Sequence, residues 1–362
     1  MTDAYLYNFN KLGFTAQLQA QYEQTLMEAA LPDADAAHCE PARVVKVDRG
    51  FPLVVAASGS YRTELSSQLA QRARKDALAR PAVGDWVVLA RPAGHDFGIV
   101  EAFLPRNSSL KRRDPIERKS AGFAPAQQAI GQVVVANIDL IFVVQALRSE
   151  SCSVNLARLE RELVLAFESG AQPLIVLTKA DLCPDLAASE RFIQMSAADV
   201  PIITCSALTG RGITEIRRLI SPGVTAALIG ASGVGKSTLI NQLIGTDRQL
   251  TKEVRETDDR GRHATVAREL IELPLIQTCE GPSGGGVIID TPGMRSLALW
   301  QADQGITLAF PEITAAAHNC RFADCAHKNE PHCGVKAAVA AGDIDAERYK
   351  RYLRLVRELA DA

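Results

Sequence analysis

Between residues 41 and 104 five short β-like runs alternate with turn residues: ARVVKVD, FPLVVAA, SYRTEL, VGDWVVLAR and FGIVEAFL. Valine-rich runs of this length, punctuated by Gly, Asp and Ser, predict a small all-β barrel. Five strands at this spacing suit an OB-like barrel, an architecture that either binds oligonucleotides or serves as a docking module. From about residue 133 to 300 the pattern changes. Continuous apolar runs (IDLIFVV, PLIVLT, TAALIG, GVIID) are separated by segments of helical period such as NLARLERELVLAFESG. Strands that are apolar on both faces, alternating with amphipathic helices, predict an α/β domain built on a mostly parallel sheet. A polar helical run, TAQLQAQYEQTLMEAA, precedes the barrel, and a helical, Cys- and His-bearing segment closes the chain. The expected division is an N-terminal extension (1–38), a barrel (39–104), a basic linker (105–132), the α/β domain (133–300) and a C-terminal domain (301–362).

Composition narrows this little. Of 362 residues 47% are apolar and 23% charged, as in a soluble globular chain, and the net charge of −2 confines any nucleic-acid contact to local patches. Two such patches stand out. PRNSSLKRRDPIERK (105–119) holds six Lys or Arg against two acids, and the last helix carries Arg348, Lys350, Arg351, Arg354 and Arg357 among aromatic and aliphatic residues. The first is a phosphate-contacting loop or a solvated linker. The second contacts RNA or packs its apolar face and solvates the rest. No apolar run spans a membrane, and the N-terminus lacks the form of a signal peptide, so a cytoplasmic location and reduced thiols are expected. On that basis Cys39, Cys152, Cys183, Cys205 and Cys279 read as buried small residues, apart from the clustered Cys320, Cys325 and Cys333.

The chemistry sits at strand ends. Gly230-Ala231-Ser232-Gly233-Val234-Gly235-Lys236-Ser237, followed by Thr238, matches G-x-x-x-x-G-K-[ST] between the strand TAALIG and a helix. Glycines let backbone N–H groups turn inward around phosphates, and the helix N-terminus adds favourable partial charge. Lys236 then reaches the β- and γ-phosphates and Ser237 ligates Mg²⁺. Asp290-Thr291-Pro292-Gly293 follows VIID, where an acid holds Mg²⁺ and the glycine offers an N–H to the γ-phosphate. Thr178-Lys179-Ala180-Asp181 follows PLIVLT; a carboxylate there accepts from the N1–H and 2-amino group of guanine, while the lysine stem covers the base. Cys205-Ser206-Ala207 presents the Ala207 N–H to the guanine 6-oxo group. All lie where open α/β sheets bind ligands.

These are GTPase signatures with the base-reading pair ahead of the phosphate-reading set, the reverse of a Ras-like order. The chain resembles the circularly permuted GTPases and, with a barrel in front and Cys/His residues behind, the ribosome small subunit-dependent GTPase family (RsgA, also called YjeQ). The resemblance covers roughly residues 40–360. It implies an OB fold, a permuted GTPase and a zinc-binding C-terminal domain. It also implies a role in late maturation of the 30S subunit, contact with 16S rRNA, and GTP hydrolysis stimulated by the subunit. A monomer that exchanges GTP and GDP and keeps off membranes completes the expectation. Two departures stand out: Thr178 replaces the family's usual Asn, and in Gly261-Arg262-His263-Ala264-Thr265-Val266 only Thr265 remains of the usual three threonines after the histidine. By resemblance Thr265 is the switch residue on Mg²⁺, and His263 is the candidate catalytic group. Met294 stands where Ras-like enzymes place a water-orienting Gln, so turnover is expected to be slow without a partner. Nucleotide-gated binding with negligible turnover is the rival reading, and action on the large subunit another.

Cys320-x₄-Cys325-x-His327-x₅-Cys333 offers three thiols and an imidazole, a donor set suited to structural Zn²⁺ with no open position. His318 and His332 compete for the imidazole position; the resemblance favours His327.

Overall fold

A computed structural model describes residues 9–29, 38–48, 51–92, 97–113, 131–147, 152–197, 199–245, 268–279, 281–291 and 299–360. Helix α1 (Ala16–Glu28) starts where the Thr15 hydroxyl accepts the Leu18 N–H, a standard N-cap. Its buried Leu18 and Tyr22 face the barrel. Phe9 and Phe14 stack around Trp86 at 5.9 and 5.1 Å.

The barrel strands are β1 (Cys39–Asp48), β2 (Phe51–Ala56), β3 (Gly59–Leu65), β4 (Trp86–Ala90) and β5 (Gly98–Phe103), with helix α2 (Ser67–Lys75) between β3 and β4. Antiparallel pairs β1–β2, β2–β3, β4–β5 and β1–β4, with the parallel pair β3–β5, close the cylinder. Ala42, Val44, Val54, Val87, Leu89 and Val100 fill its interior. The five Val-rich runs thus form the expected closed, OB-like barrel.

The stretch read as a basic linker is more ordered than expected. Its residues Ser109–Arg113 form β6, paired antiparallel with β7 (Gly131–Ala136). Arg106 is taken up internally: it binds both carboxylate oxygens of buried Asp85 (2.6 and 2.8 Å) and the carbonyls of Leu78 and Arg80. Residues 114–130 lie outside the described residues.

The α/β domain follows as β8 (Leu140–Ala146), α3 (Leu156–Glu168), β9 (Gln172–Thr178), α4 (Leu186–Gln194), β10 (Ile202–Thr204), α5 (Ile213–Leu219), β11 (Thr225–Ile229), α6 (Lys236–Ile244), β12 (Glu269–Glu272), the small hairpin β13 (Ile276–Thr278) and β14 (Gly281–Ser283), and β15 (Val287–Asp290). Strand order is β10-β9-β8-β11-β15-β12, with only β12 antiparallel. β12 touches the barrel at the pair Lys46↔Glu269. A stronger joint is Arg43 on β1, which is buried. Its guanidinium donates to the carbonyls of Leu12, Gly84 and Asn137 and to the Thr225 hydroxyl, and lies over Trp86. One cation therefore satisfies acceptors from the N-terminal segment, the barrel and the α/β sheet, and its removal strands several of them.

The C-terminal helices are α7 (Asp303–Ala309), α8 (Pro311–Ala317), α9 (Gly334–Ala341) and α10 (Ala346–Ala360). Among the described residues no helix is long and apolar enough to cross a membrane.

The scattered cysteines do not all meet expectation. Cys205 is buried, but Cys39 is half-buried and Cys279 exposed, while Cys152 and Cys183 form a disulfide with Cα atoms 5.2 Å apart. The reason is topological. The two residues follow β8 and β9, neighbouring parallel strands, so 31 positions of sequence close to bonding distance at one sheet edge.

Candidate nucleotide site and metal centre

Parallel strands point their C-terminal ends the same way, so the loops after β8, β9, β10, β11 and β15 share one edge of the sheet. The phosphate-loop sequence 230–237 leaves β11 and opens α6 at Lys236, with Gly235 as N-cap. Gly230 has φ +148, and a Cβ there would lie 2.4 Å from the Val144 carbonyl oxygen, so the close approach of β8 to this turn requires glycine. Ser232, Gly233 and Thr238 are exposed, Ala231 and Ser237 half-buried, and Val234 is buried as the loop's anchor. The Lys236 ammonium donates to the carbonyls of Gly230 (2.6 Å) and Ala231 (2.8 Å), folded over its own loop. Burial lowers its pKa, against the pull of Glu162 and Asp290 and with the push of Arg158.

Thr178 ends β9. Its hydroxyl lies 2.6 Å from the Val234 carbonyl and 3.2 Å from the Gln145 carbonyl. The shorter Thr thus spans from the base-reading loop to the phosphate loop directly. Lys179 holds a left-handed conformation (φ +60) that turns the chain into the short helix Ala180–Leu182. The Ala180 N–H donates to the Cys205 carbonyl at 3.1 Å, and the Ser206 hydroxyl donates to an Asp181 carboxylate oxygen at 2.5 Å. Ser206 also accepts the Thr209 N–H, which shapes the turn that carries Ala207. The two base-reading segments therefore form one unit, with Lys179 and Asp181 on its solvent side.

Asp290 ends β15 and is buried, and Thr291 beside it donates to the Leu228 carbonyl, pinning this strand end to β11. Gly293 and Met294, and the whole segment with His263 and Thr265, lie outside the described residues.

Helix α3 contributes residues that motif reading passed over. Glu162 is buried and accepts from the Gln145 side-chain amide at 2.6 Å. Burial pushes its carboxyl up to about 7, opposed by Arg158, Lys236, the Gln145 hydrogen bond and Arg161. A helix-periodic acid looks like any surface residue in sequence; only the fold turns this one inward.

The four residues Cys320, Cys325, His327 and Cys333 bring one donor atom each within 4.8 Å of one another. The His327 Nδ1 stands 3.5 Å from the sulfurs of Cys320 and Cys333, which are 3.8 Å apart. Tetrahedral ligands at about 2.3 Å for sulfur and about 2.0–2.1 Å for nitrogen stand roughly 3.8 Å (S–S) and 3.6 Å (S–N) apart, so these donors fit a metal ion. Backbone N–H groups of Gly334 and Lys336 point at the sulfurs of Cys320 and Cys333, and Cys333 caps α9. Glu330 accepts the N–H groups of Ala326, Lys328 and Asn329, holding the turn around His327. His318 and His332 are outside this group of donors.

The last helix is not the open basic face its sequence offers. Arg348, 5% exposed, binds Glu160 of α3 at 2.9 Å, Glu312 of α8, and the carbonyls of Ser196 and Ala309. Arg351 binds Glu160 at 2.6 and 2.9 Å, and Arg161 of α3 binds Glu358. Lys350 pairs with Glu347, and Arg354 and Arg357 are exposed cations with no ion pair among the described residues.

Phosphate-loop, base-reading and Asp290 segments on one sheet edge, in this chain order, define a circularly permuted P-loop GTPase. The sequence profile of the RsgA GTPase family matches residues 104–300. A small ribosomal subunit biogenesis GTPase RsgA 2 of Lactiplantibacillus plantarum is 42% identical over 88% of this chain and 83% of its own length. The small ribosomal subunit biogenesis GTPase RsgA of Syntrophotalea carbinolica is 38% identical over 98% and 90%. The crystal structure of YjeQ from Thermotoga maritima superposes with a TM-score of 0.61 at 24% identity, covering 90% of this chain and 99% of that one. The structure of YloQ, a circularly permuted GTPase, gives a TM-score of 0.57 over 90% and 96%. The chain belongs to the RsgA GTPase family.

Proposed function

We propose that this chain hydrolyses GTP on the immature small ribosomal subunit, docking in one nucleotide state and leaving in the other. The observation that carries the reading is the direct bond from Thr178 to Val234, which joins a guanine-reading loop to a phosphate loop. The small-subunit assignment rests on family membership and on what the relatives' names state.

In this reading Asp181 accepts from the guanine N1–H and 2-amino group, Lys179 lies along the base, and Thr178 and Ser206 hold the loops. Ala207 offers its N–H to the 6-oxo group. The N–H groups of residues 230–238 cradle the phosphates, and Lys236 swings from its own carbonyls to the β- and γ-oxygens. Bound Mg²⁺ neutralises phosphate charge; Ser237, Asp290 and Thr265 would hold it. Gly293 reports the γ-phosphate and His263 orients water. The three thiols and His327 take Zn²⁺ in a structural role, since four protein donors leave no open position. The domain limits remain those read from sequence, with residues 109–113 assigned to the ribbon with β7. A cytoplasmic monomer contacting 16S rRNA through exposed cations such as Arg72, Arg74 and Lys75 of α2 completes the proposal.

The test is phosphate release with and without purified 30S particles. Strong stimulation by 30S and none by 50S is expected. Tight GTP binding without stimulated release would favour nucleotide-gated binding, the reading that Met294 suggests.

A further inference from the structure

We propose that Cys152 and Cys183 form a reversible thiol–disulfide clasp that sets how fast guanine nucleotide leaves the site. This rests on the guanine-site reading above. Cys183 directly follows Leu182, two residues beyond Asp181, and its N–H closes the short helix Ala180–Leu182 onto the Ala180 carbonyl. Cys152 lies between β8 and α3, in a left-handed conformation (φ +47). Three bonds already hold the base-reading loop from the other sides: Thr178 to the phosphate loop, Ala180 to Cys205, and Asp181 to Ser206. The disulfide adds a covalent tie from the segment leading into α3. Closed, it fixes the segment carrying Asp181 before nucleotide arrives. Open, part of that ordering falls on the ligand.

The two sulfurs differ in access. Cys183 is buried and Cys152 half-buried, so a small thiol attacks the Cys152 sulfur. The Cys152–Cys183 bond breaks, Cys183 leaves as thiolate and takes a proton, and Cys152 is held as a mixed disulfide. A second small thiol then attacks that mixed disulfide, freeing the Cys152 thiol and a small-molecule disulfide that carries away the two sulfur oxidations. Closure reverses the path with a small disulfide as oxidant. Peroxide also serves: it oxidises one thiol to a sulfenic acid with loss of water, and the other cysteine displaces a second water.

The experiment uses the full-length, metal-loaded protein, oxidised with glutathione disulfide or reduced with dithiothreitol. Alkylation and peptide mass mapping follow the 152 and 183 thiols, and stopped-flow release of a fluorescent GDP is measured on each form. The reduced protein is expected to release GDP on the order of tenfold faster, the ratio for one backbone residue left to be ordered by the ligand. Cys152→Ser and Cys183→Ser proteins are expected to release GDP at the reduced rate under both conditions. Equal release from the two wild-type forms overturns the clasp while leaving the guanine site standing. So does a redox response that persists in Cys152→Ser, since another thiol then carries it. Failure of both forms to bind any guanine nucleotide removes the site reading and the clasp with it.

Discussion

Helix α3 carries two buried carboxylates two residues apart, and its two sides treat them oppositely. On the side facing the C-terminal helices, Glu160 receives two guanidinium groups, Arg348 and Arg351, in a network that also engages Glu312. On the side facing the nucleotide edge, Glu162 receives one neutral amide, and its carboxyl is driven up to about 7 by burial. Burial is similar, so the partner decides the outcome. Full ionic pairing makes one side a clamp, and incomplete pairing leaves the other poised to change charge near neutral pH. A rigid connection thus runs from the C-terminal module to the helix that flanks the phosphate loop.

The largest effect expected on the clamped side is from metal removal, because a donor set of this kind gains its folding free energy from the ion. Chelation should abolish amide protection across residues 318–345. Protection in α10 beyond Tyr352 should persist, since Arg348 and Arg351 are held by Glu160 and not by the metal. Hydrogen exchange with and without chelator decides this, and collapse of protection in α3 as well would refute an independent clamp. Next comes Glu160→Ala. It leaves Arg351 without its acid and Arg348 with Glu312 as its one remaining acid, at a cost of about 3–5 kcal/mol measured by urea unfolding. A loss below about 1 kcal/mol would mean that the network is solvated.

On the poised side the expected signature is pH dependence. From the ordinary value of 4.5 up to about 7 the unfolded Glu162 carboxyl has lost its proton while the folded one keeps it. Unfolding in that window releases a proton, so stability falls as pH rises, by roughly 3 kcal/mol in total. Glu162→Gln keeps the acceptor for Gln145 and removes the titration. The variant should match wild type near pH 4.5 and exceed it above pH 7, by up to that amount. Parallel stability curves for the two proteins between pH 5 and 8 would show that Glu162 is ionised throughout.

The two sides also differ in how far sequence reveals them. The barrel and parallel sheet are legible because their Val-rich and apolar runs are cut by turn residues or by segments of helical period, and the nucleotide loops because each motif falls at the end of an apolar strand. The metal donors are legible from spacing, although only the fold separates His327 from His318 and His332. What escapes is pairing across long distances. Arg348 and Arg351 read as a basic helix face because their acids lie far back in the chain, at Glu160 and Glu312. Arg106 misleads in the same way through Asp85, and the Cys152–Cys183 bond is invisible until β8 and β9 are known to be neighbours. Periodicity reports which way a residue faces, not what it meets there.

The smallest expected effect sharpens the comparison most, because it lies where the nucleotide side joins its own loops. Thr178 offers one hydroxyl hydrogen to two carbonyls, and the shorter contact, to Val234 at 2.6 Å, takes it. Thr178→Ala removes this bond and leaves the Val234 carbonyl to find another donor, a net loss of about 1 kcal/mol. That corresponds to roughly fivefold weaker nucleotide binding, with overall stability changed by no more. Thr178→Ser restores the hydroxyl and should recover most of the loss, which separates the hydrogen bond from the methyl group's packing. Titration of fluorescent GDP into the three proteins reads the difference. If Thr178→Ala binds as tightly as wild type, the Thr178 bridge between base and phosphate loops has no part in setting affinity.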